Sequence, residues 1–293
     1  MTSCKKNYYI FAPVQVDNYN VSISNLYTVA TNSIRIVSTE NNVWTEEVFN
    51  EILLHLKSVN PEIEVVFSTE KSYQIYDILN HNIGDIVLLP LERIGVNLPE
   101  NVAITALSRR KEVQEVLLLT DDAYDEEMDF RIKSGATIMV KTPRQQHQLI
   151  ALRPDLKLTQ SPFDLSDGIL STLDKQVPEG HSVVKLNPRE YNGEPGCGTM
   201  ACLVLKENVP IRKLLKGFHH RETAEITNLE RGLIKSNTNP DLEILGAYCE
   251  KRNDHSFHLY ACGLFQHRFV KTKVSQSTSS GLVDNTLKAL QDA

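Results

Sequence analysis

Apolar positions along this chain switch repeatedly between two spacings, and the pattern sets in at Ile34. Ile34 to Val37 is a short apolar run of strand type. Trp44, Val48, Ile52 and Leu56 then recur at helical spacing, and Ile63 to Phe67 returns to a strand. Tyr73 to Leu79 reads as a helix and Asp85 to Leu89 as a buried, parallel-type strand. Strand–helix–strand alternation of this kind predicts an α/β domain. Val102 to Ala106 and Val116 to Leu119 are further apolar runs. Between them Ser108-Arg109-Arg110-Lys111 marks a crossover into a second α/β lobe. That lobe should hold a strand over Thr137 to Val140, a helix that stops before Pro154, and the segment Leu165 to Leu173. Thr142 suits the helix cap and Pro143 the first helical position, while Leu149, Ile150 and Leu152 supply an apolar face. Tyr191 to Gly198 returns the chain to the first lobe. From near Lys216 a third unit follows, with Ala224, Ile226, Leu229 and Leu233 on a helix and strands over Leu242 to Tyr248 and Ser256 to Cys262. The Ser-Thr run at 275–280 reads as a turn or loop, and residues 1–33, with a strand over Tyr8 to Val16, as an N-terminal extension.

Composition narrows the partners more than the fold. The 293 residues, 41% apolar and 23% charged, can bury the cores of two or three domains. A formal charge of −6 with no basic run argues against nucleic acid. No apolar stretch is long enough to span a membrane and the N-terminus makes a poor signal peptide, so a cytoplasmic monomer with no membrane partner is expected. Five cysteines, an odd number, are scattered as Cys4, Cys197, Cys202, Cys249 and Cys262, which suits reduced, buried thiols. Cys197 and Cys202 with His219 and His220 do not read as a metal site. Their C-x4-C spacing within an apolar strand would place the two thiols on opposite faces. His219 and His220 read as solvent-facing neighbours of a helix cap, and the acidic run Asp121 to Asp129 as a solvated surface.

One loop carries candidate chemistry. Lys141-Thr142-Pro143-Arg144 leads into a helix N-terminus, whose free N–H groups and partial positive charge favour a carboxylate or phosphate beside Lys141 and Arg144. The stretch from there to Ala151-Leu152-Arg153-Pro154-Asp155 resembles the Ser-Ser-Leu-Arg-Arg-Gln loop and Ala-Leu-Arg-Pro-Asp helix of hydroxymethylbilane synthase, also called porphobilinogen deaminase. Ile34-Arg35-Ile36 with Trp44, Gly84-Asp85-Ile86-Val87-Leu88, Pro195-Gly196-Cys197-Gly198, the helix from His220-Arg221-Glu222-Thr223-Ala224 to Glu230, and Gly246-Ala247-Tyr248 resemble further segments of that family in the same order.

The resemblance implies a tetrapyrrole (haem) biosynthesis family whose enzymes condense porphobilinogen with release of ammonia. It also implies α/β architecture: two periplasmic-binding-protein-like lobes with an interlobe cleft (34–107 with 190–212, and 108–189), plus a small C-terminal α+β domain (216–293). Such an enzyme needs a carboxylate at the pyrrole nitrogens, a cysteine thioether holding a dipyrromethane primer, and arginines for the substrate's carboxylates. Matched to the family, the catalytic acid falls on Arg93, with Glu92 beside it, and the primer cysteine on Asp241. A guanidinium accepts no proton and a carboxylate forms no stable thioether. The anion-binding positions become Ser38, Thr39, Lys141, Thr142, Arg144, Gln145 and Gln146, with one arginine surviving. Asp164 and Asp167 add negative charge where the family has arginine. The expectation is a degenerate member, a pseudoenzyme without dipyrromethane or metal, that binds a small anionic or pyrrole ligand or a protein partner. Two alternatives are an active synthase working through Glu92, and a cleft-type binder of a small organic anion.

Overall fold

A computed structural model describes residues 33–293 apart from 72–73, 112–114, 162–164, 173–176 and 178. The N-terminal extension and its strand, Cys4 and Asp164 lie outside the described residues. In chain order the elements begin with β1 (Ser33–Ser38), α1 (Val43–Val59), β2 (Glu64–Thr69), α2 (Ile75–Asn80), β3 (Ile86–Pro90) and β4 (Val102–Leu107). Next come β5 (Glu115–Thr120), β6 (Thr137–Met139), α3 (Pro143–Leu152), β7 (Lys157–Thr159), β8 (Gly168–Thr172) and β9 (His181–Lys185). The chain continues through β10 (Met200–Leu205), α4 (Val209–Leu214) and α5 (Arg221–Ser236), and ends with β11 (Leu242–Lys251), β12 (Phe257–Phe265), β13 (Arg268–Gln276) and α6 (Leu282–Gln291).

Two compact units emerge, one from the segments ending at Arg109 and Met200–Arg221, the other from Arg110–Thr199 and Glu222–Ala293. In the first, the sheet order is β2-β1-β3-β10-β4, with β1 parallel to β2 and β3 and with β10 antiparallel to β3 and β4. Strand β3 is buried at every position, as its unbroken apolar run requires at the centre of a covered sheet. Helix α1 starts where Asn42 accepts a hydrogen bond from the Thr45 N–H, and it lays Val48, Phe49, Ile52 and Leu56 on Ile34, Ile36, Ile86 and Leu88. Burying such side chains contributes about 1.5–3 kcal/mol each.

The second unit repeats that plan. Its larger sheet runs β7-β6-β8-β5-β9, with β5 antiparallel to β8 and β9. In both sheets a strand from the other end of the crossover sits antiparallel in the fourth place, the arrangement of periplasmic-binding-protein-like lobes. Helix α3 has the expected start, with Thr142 Oγ1 accepting from the Gln145 N–H and Pro143 at the first position. The same unit carries an antiparallel β11-β12-β13 sheet, covered by Leu229 and Leu233 of α5 and Leu282, Leu287 and Leu290 of α6. The fold is therefore α/β with a small α+β portion at its C-terminal end.

Several expectations shift. Residues 190–199 group with the second unit, and the chain re-enters the first sheet only at Met200. Long-range hydrogen bonds decide this: the Asn192 N–H donates to Gln148 Oε1 at 2.8 Å, and Gln148 Nε2 donates to Asn192 O at 2.8 Å. Residues to Arg221 stay with the first unit, and the third sheet clusters with the second lobe. The run at 275–280 is partly strand, since β13 extends to Gln276. Cys197 lies in a turn and Cys202 in β10, so they do not share one strand.

Candidate functional site

The loop singled out for anions is built, but around an internal carboxylate. Arg144, at the second position of α3, donates through both terminal nitrogens to Glu115 of β5, at 2.8 and 2.9 Å, and to Asn192 O at 2.9 Å. Gln145 Nε2 adds a third contact to Glu115, at 2.7 Å, while its Oε1 accepts from the Lys141 N–H. Arg144 and Gln145 are both buried. Burial opposes the Arg144 charge, but Glu115 outweighs it and holds the guanidinium above its ordinary value. An incoming anion would have to displace Glu115, and breaking a buried pair costs about 3–5 kcal/mol. Thr142 is occupied as the helix cap, whereas Lys141 and Gln146 are exposed. Asp167 is also structural, accepting from the Thr137 N–H at 2.7 Å.

In the first unit, Ser38 ends β1 fully buried, with Oγ accepting from the Glu40 N–H; Thr39 beside it is half-buried. Strand β3 runs into a single turn, Leu91–Arg93, that carries both residues matched to the catalytic acid. Glu92 is half-buried there. Arg93 points into solvent and pairs with Glu40 at 2.7 Å, so that position holds a cation engaged by a carboxylate.

Asp241 is exposed on the turn before β11, where its backbone accepts from Gln266 and donates to Asn239. Among the described residues the cysteines are Cys197, Cys202, Cys249 and Cys262, and none occupies the turn at Asp241. Burial pushes the Cys202 and Cys262 thiols up to about 12 each, and burial with Glu230 raises Cys249 further. Cys197 is half-buried, with its sulfur 3.8 Å from Arg110 Nη2. A dipyrromethane primer does not fit this donor set, because attachment needs an accessible thiolate at the matched position.

The motifs that prompted the family resemblance meet in salt bridges that hold the scaffold. Glu230 of α5 is completely buried and accepts four hydrogen bonds. Two come from Arg110, at 2.6 and 3.1 Å, one from the Gly196 N–H at 2.8 Å and one from the Cys249 N–H at 2.7 Å. A carboxylate's acceptor sites are thereby filled. The Pro195–Gly198 turn, α5 and β11 are thus pinned to one ion pair. Gly246 is needed on β11 because a Cβ there would sit 2.8 Å from Asn192 O. The Asp85 carboxylate, just before β3, accepts three hydrogen bonds of 2.8–3.1 Å from Arg35 of β1. Arg153 grips Asp155 with two bonds of 2.8 Å and reaches Ile132 O at 2.9 Å.

His219 is half-buried instead of solvent-facing, its Nδ1 accepting from the Leu107 N–H at 3.2 Å. It lines a cavity of about 330 Å³ with Ile104, Thr105, Val209, Arg212, Lys213 and Lys216. Sequence reasoning singled out only His219 among these residues, and not as part of a cavity. The available signal was the stripe Val209, Arg212, Lys216, His219, spaced as one helical face. Among the described residues no group of three or more His, Cys, Asp or Glu side chains is placed to hold a metal, and no helix is long and apolar enough to cross a membrane.

No family model matches the chain. Porphobilinogen deaminase of Chloroherpeton thalassium is 25% identical over 224 residues, covering 69% of this chain and 68% of that one. Porphobilinogen deaminase of Alkaliphilus metalliredigens is 21% identical over 165 residues, covering 52% and 51%; the chain thus spans about half of that relative. Among solved structures, YhfZ from Shigella flexneri superposes with TM-score 0.36 at 10% identity, covering 71% of this chain and 98% of that one. An ancestral cyclohexadienyl dehydratase gives 0.39 at 10% identity, covering 64% and 85%. By its sequence, this chain is similar to the porphobilinogen deaminases of these two bacteria.

Proposed function

We propose that the chain is a non-catalytic relative of hydroxymethylbilane synthase that works in the cytoplasm as a binding or regulatory protein. One contrast carries the reading. The family-like motifs end in structural pairs (Arg35–Asp85, Arg153–Asp155, Arg110–Glu230), whereas the positions matched to the acid and the sulfur hold Arg93, paired to Glu40, and the exposed Asp241. Two separate requirements of one reaction are missing together, so repairing either alone would restore nothing.

Intact-mass spectrometry of the full chain, followed by incubation with porphobilinogen, tests this. The mass should equal that of the polypeptide, and porphobilinogen should not be consumed. A mass increment of a dipyrromethane, or turnover that disappears in Glu92→Gln, overturns the proposal in favour of a transferase working through Glu92.

A further inference from the structure

The cavity on the first unit has a chemistry that the family reading does not use. Strand β4 is the edge of its sheet, and its pairing with β10 slips: Ala106 faces Cys202 while Ile104 faces Leu203, leaving Thr105 as the extra residue of a bulge. A bulge re-aims the side chain it carries. Thr105 lines the cavity, and its Oγ1 is buried with no hydrogen-bond partner among the described residues. Such an orphan hydroxyl is rare in a settled interior and points to an unfilled polar role.

The cavity is also lined by Arg212 and Lys213 of α4 and Lys216 of the turn that follows, with no acidic side chain among the described residues that line it. Arg212 gives one N–H to Lys206 O, and Lys216 is exposed with no ion pair among the described residues. Basic residues in the last turn of α4 complement its carbonyls. That accounts for Arg212 and Lys213 but not for Lys216 or the buried hydroxyl. His219 adds a donor: with Nδ1 accepting from Leu107, the neutral ring carries its proton on Nε2. Ile104 and Val209 supply apolar wall, and about 330 Å³ is room for a single-ring molecule.

We infer that this cavity binds a small organic anion, its charged head held by Arg212, Lys213 and Lys216 with the Thr105 hydroxyl, its apolar body against Ile104 and Val209. The site lies wholly within the first unit, and none of its residues enters the argument about Arg93 or Asp241. Its failure and the failure of the family reading are therefore separable.

Calorimetric titration of the full chain with phthalate, phenyl phosphate and inorganic phosphate tests the inference. At least one of the ring compounds should bind saturably at one per chain, and phenyl phosphate more tightly than inorganic phosphate. Lys216→Ala should weaken that binding by roughly tenfold or more. Thr105→Val should weaken it less, with both variants melting like the parent. The inference is overturned if neither ring compound binds in the millimolar range, if Lys216→Ala leaves binding unchanged, or if inorganic phosphate binds as tightly as phenyl phosphate.

Discussion

Two basic stretches invite comparison, the loop into α3 and the end of α4. Each sets cations beside a helix, and only the first was conspicuous in the sequence. At α3 the arginine is buried against Glu115, contributed by a strand far away in the chain, and its charge is spent inside the protein. At α4 no acidic side chain among the described residues lines the cavity, and Lys216 is exposed. A cation's local setting says where it is; whether it can serve a ligand depends on which carboxylate the fold brings to it.

The sharpest way to break this comparison is to remove the internal carboxylates. Glu230→Gln should cost about 3–5 kcal/mol in urea unfolding, since Arg110 would stay buried without a counter-charge. Glu115→Gln should cost less, about 3 kcal/mol, because Glu115 retains some solvent contact. A loss below about 1 kcal/mol in either would show that these pairs are not the scaffold they are taken to be.

On the α4 side the effects should be smaller. Burial, Arg221 and His220 lower the His219 pKa, so a proton favours the unfolded chain. The cavity's own charged groups, Arg212, Lys213 and Lys216, are cations and act in the same sense. The stability tied to a neutral His219 is present in full above the ordinary histidine value of 6.5 and is lost as pH falls below it. His219→Asn keeps an acceptor for the Leu107 N–H and does not titrate. Its urea midpoint should therefore fall less than the parent's between about pH 7 and about pH 5. Equal slopes would remove His219 from the account. Lys216→Ala should change stability by no more than about 0.5 kcal/mol, in contrast to either glutamate variant. Thr105→Val should be neutral or slightly stabilising in the free protein, because it deletes a buried hydroxyl with no partner among the described residues. A clear destabilisation would mean that this hydroxyl has a partner.

Much of the fold was legible along the chain. Ile34 to Leu89 shows alternating periods that match β1, α1, β2, α2 and β3 closely, because each element carries its own apolar pattern and its own breaks. The short β7 and β9 and the polar strand β13 were not legible. Their residues are mostly half-exposed, so pairing partners, not an apolar period, make them strands. Helix α5 was found, but its buried face includes Thr223, Thr227 and Glu230, which an apolar count cannot nominate.

By itself the sequence determined the α/β alternation, the start and stop of α3, and the identities of Arg93 and Asp241, since these depend on neighbours within a turn or on residue type alone. The tertiary structure decided which charges are spent and which remain available. Arg144 meets Glu115, Arg110 meets Glu230, and Thr105 turns out of register at a bulge only once distant strands pair. The energy of a charge is set by what the fold places within a few ångströms of it, and separation along the chain does not encode that distance.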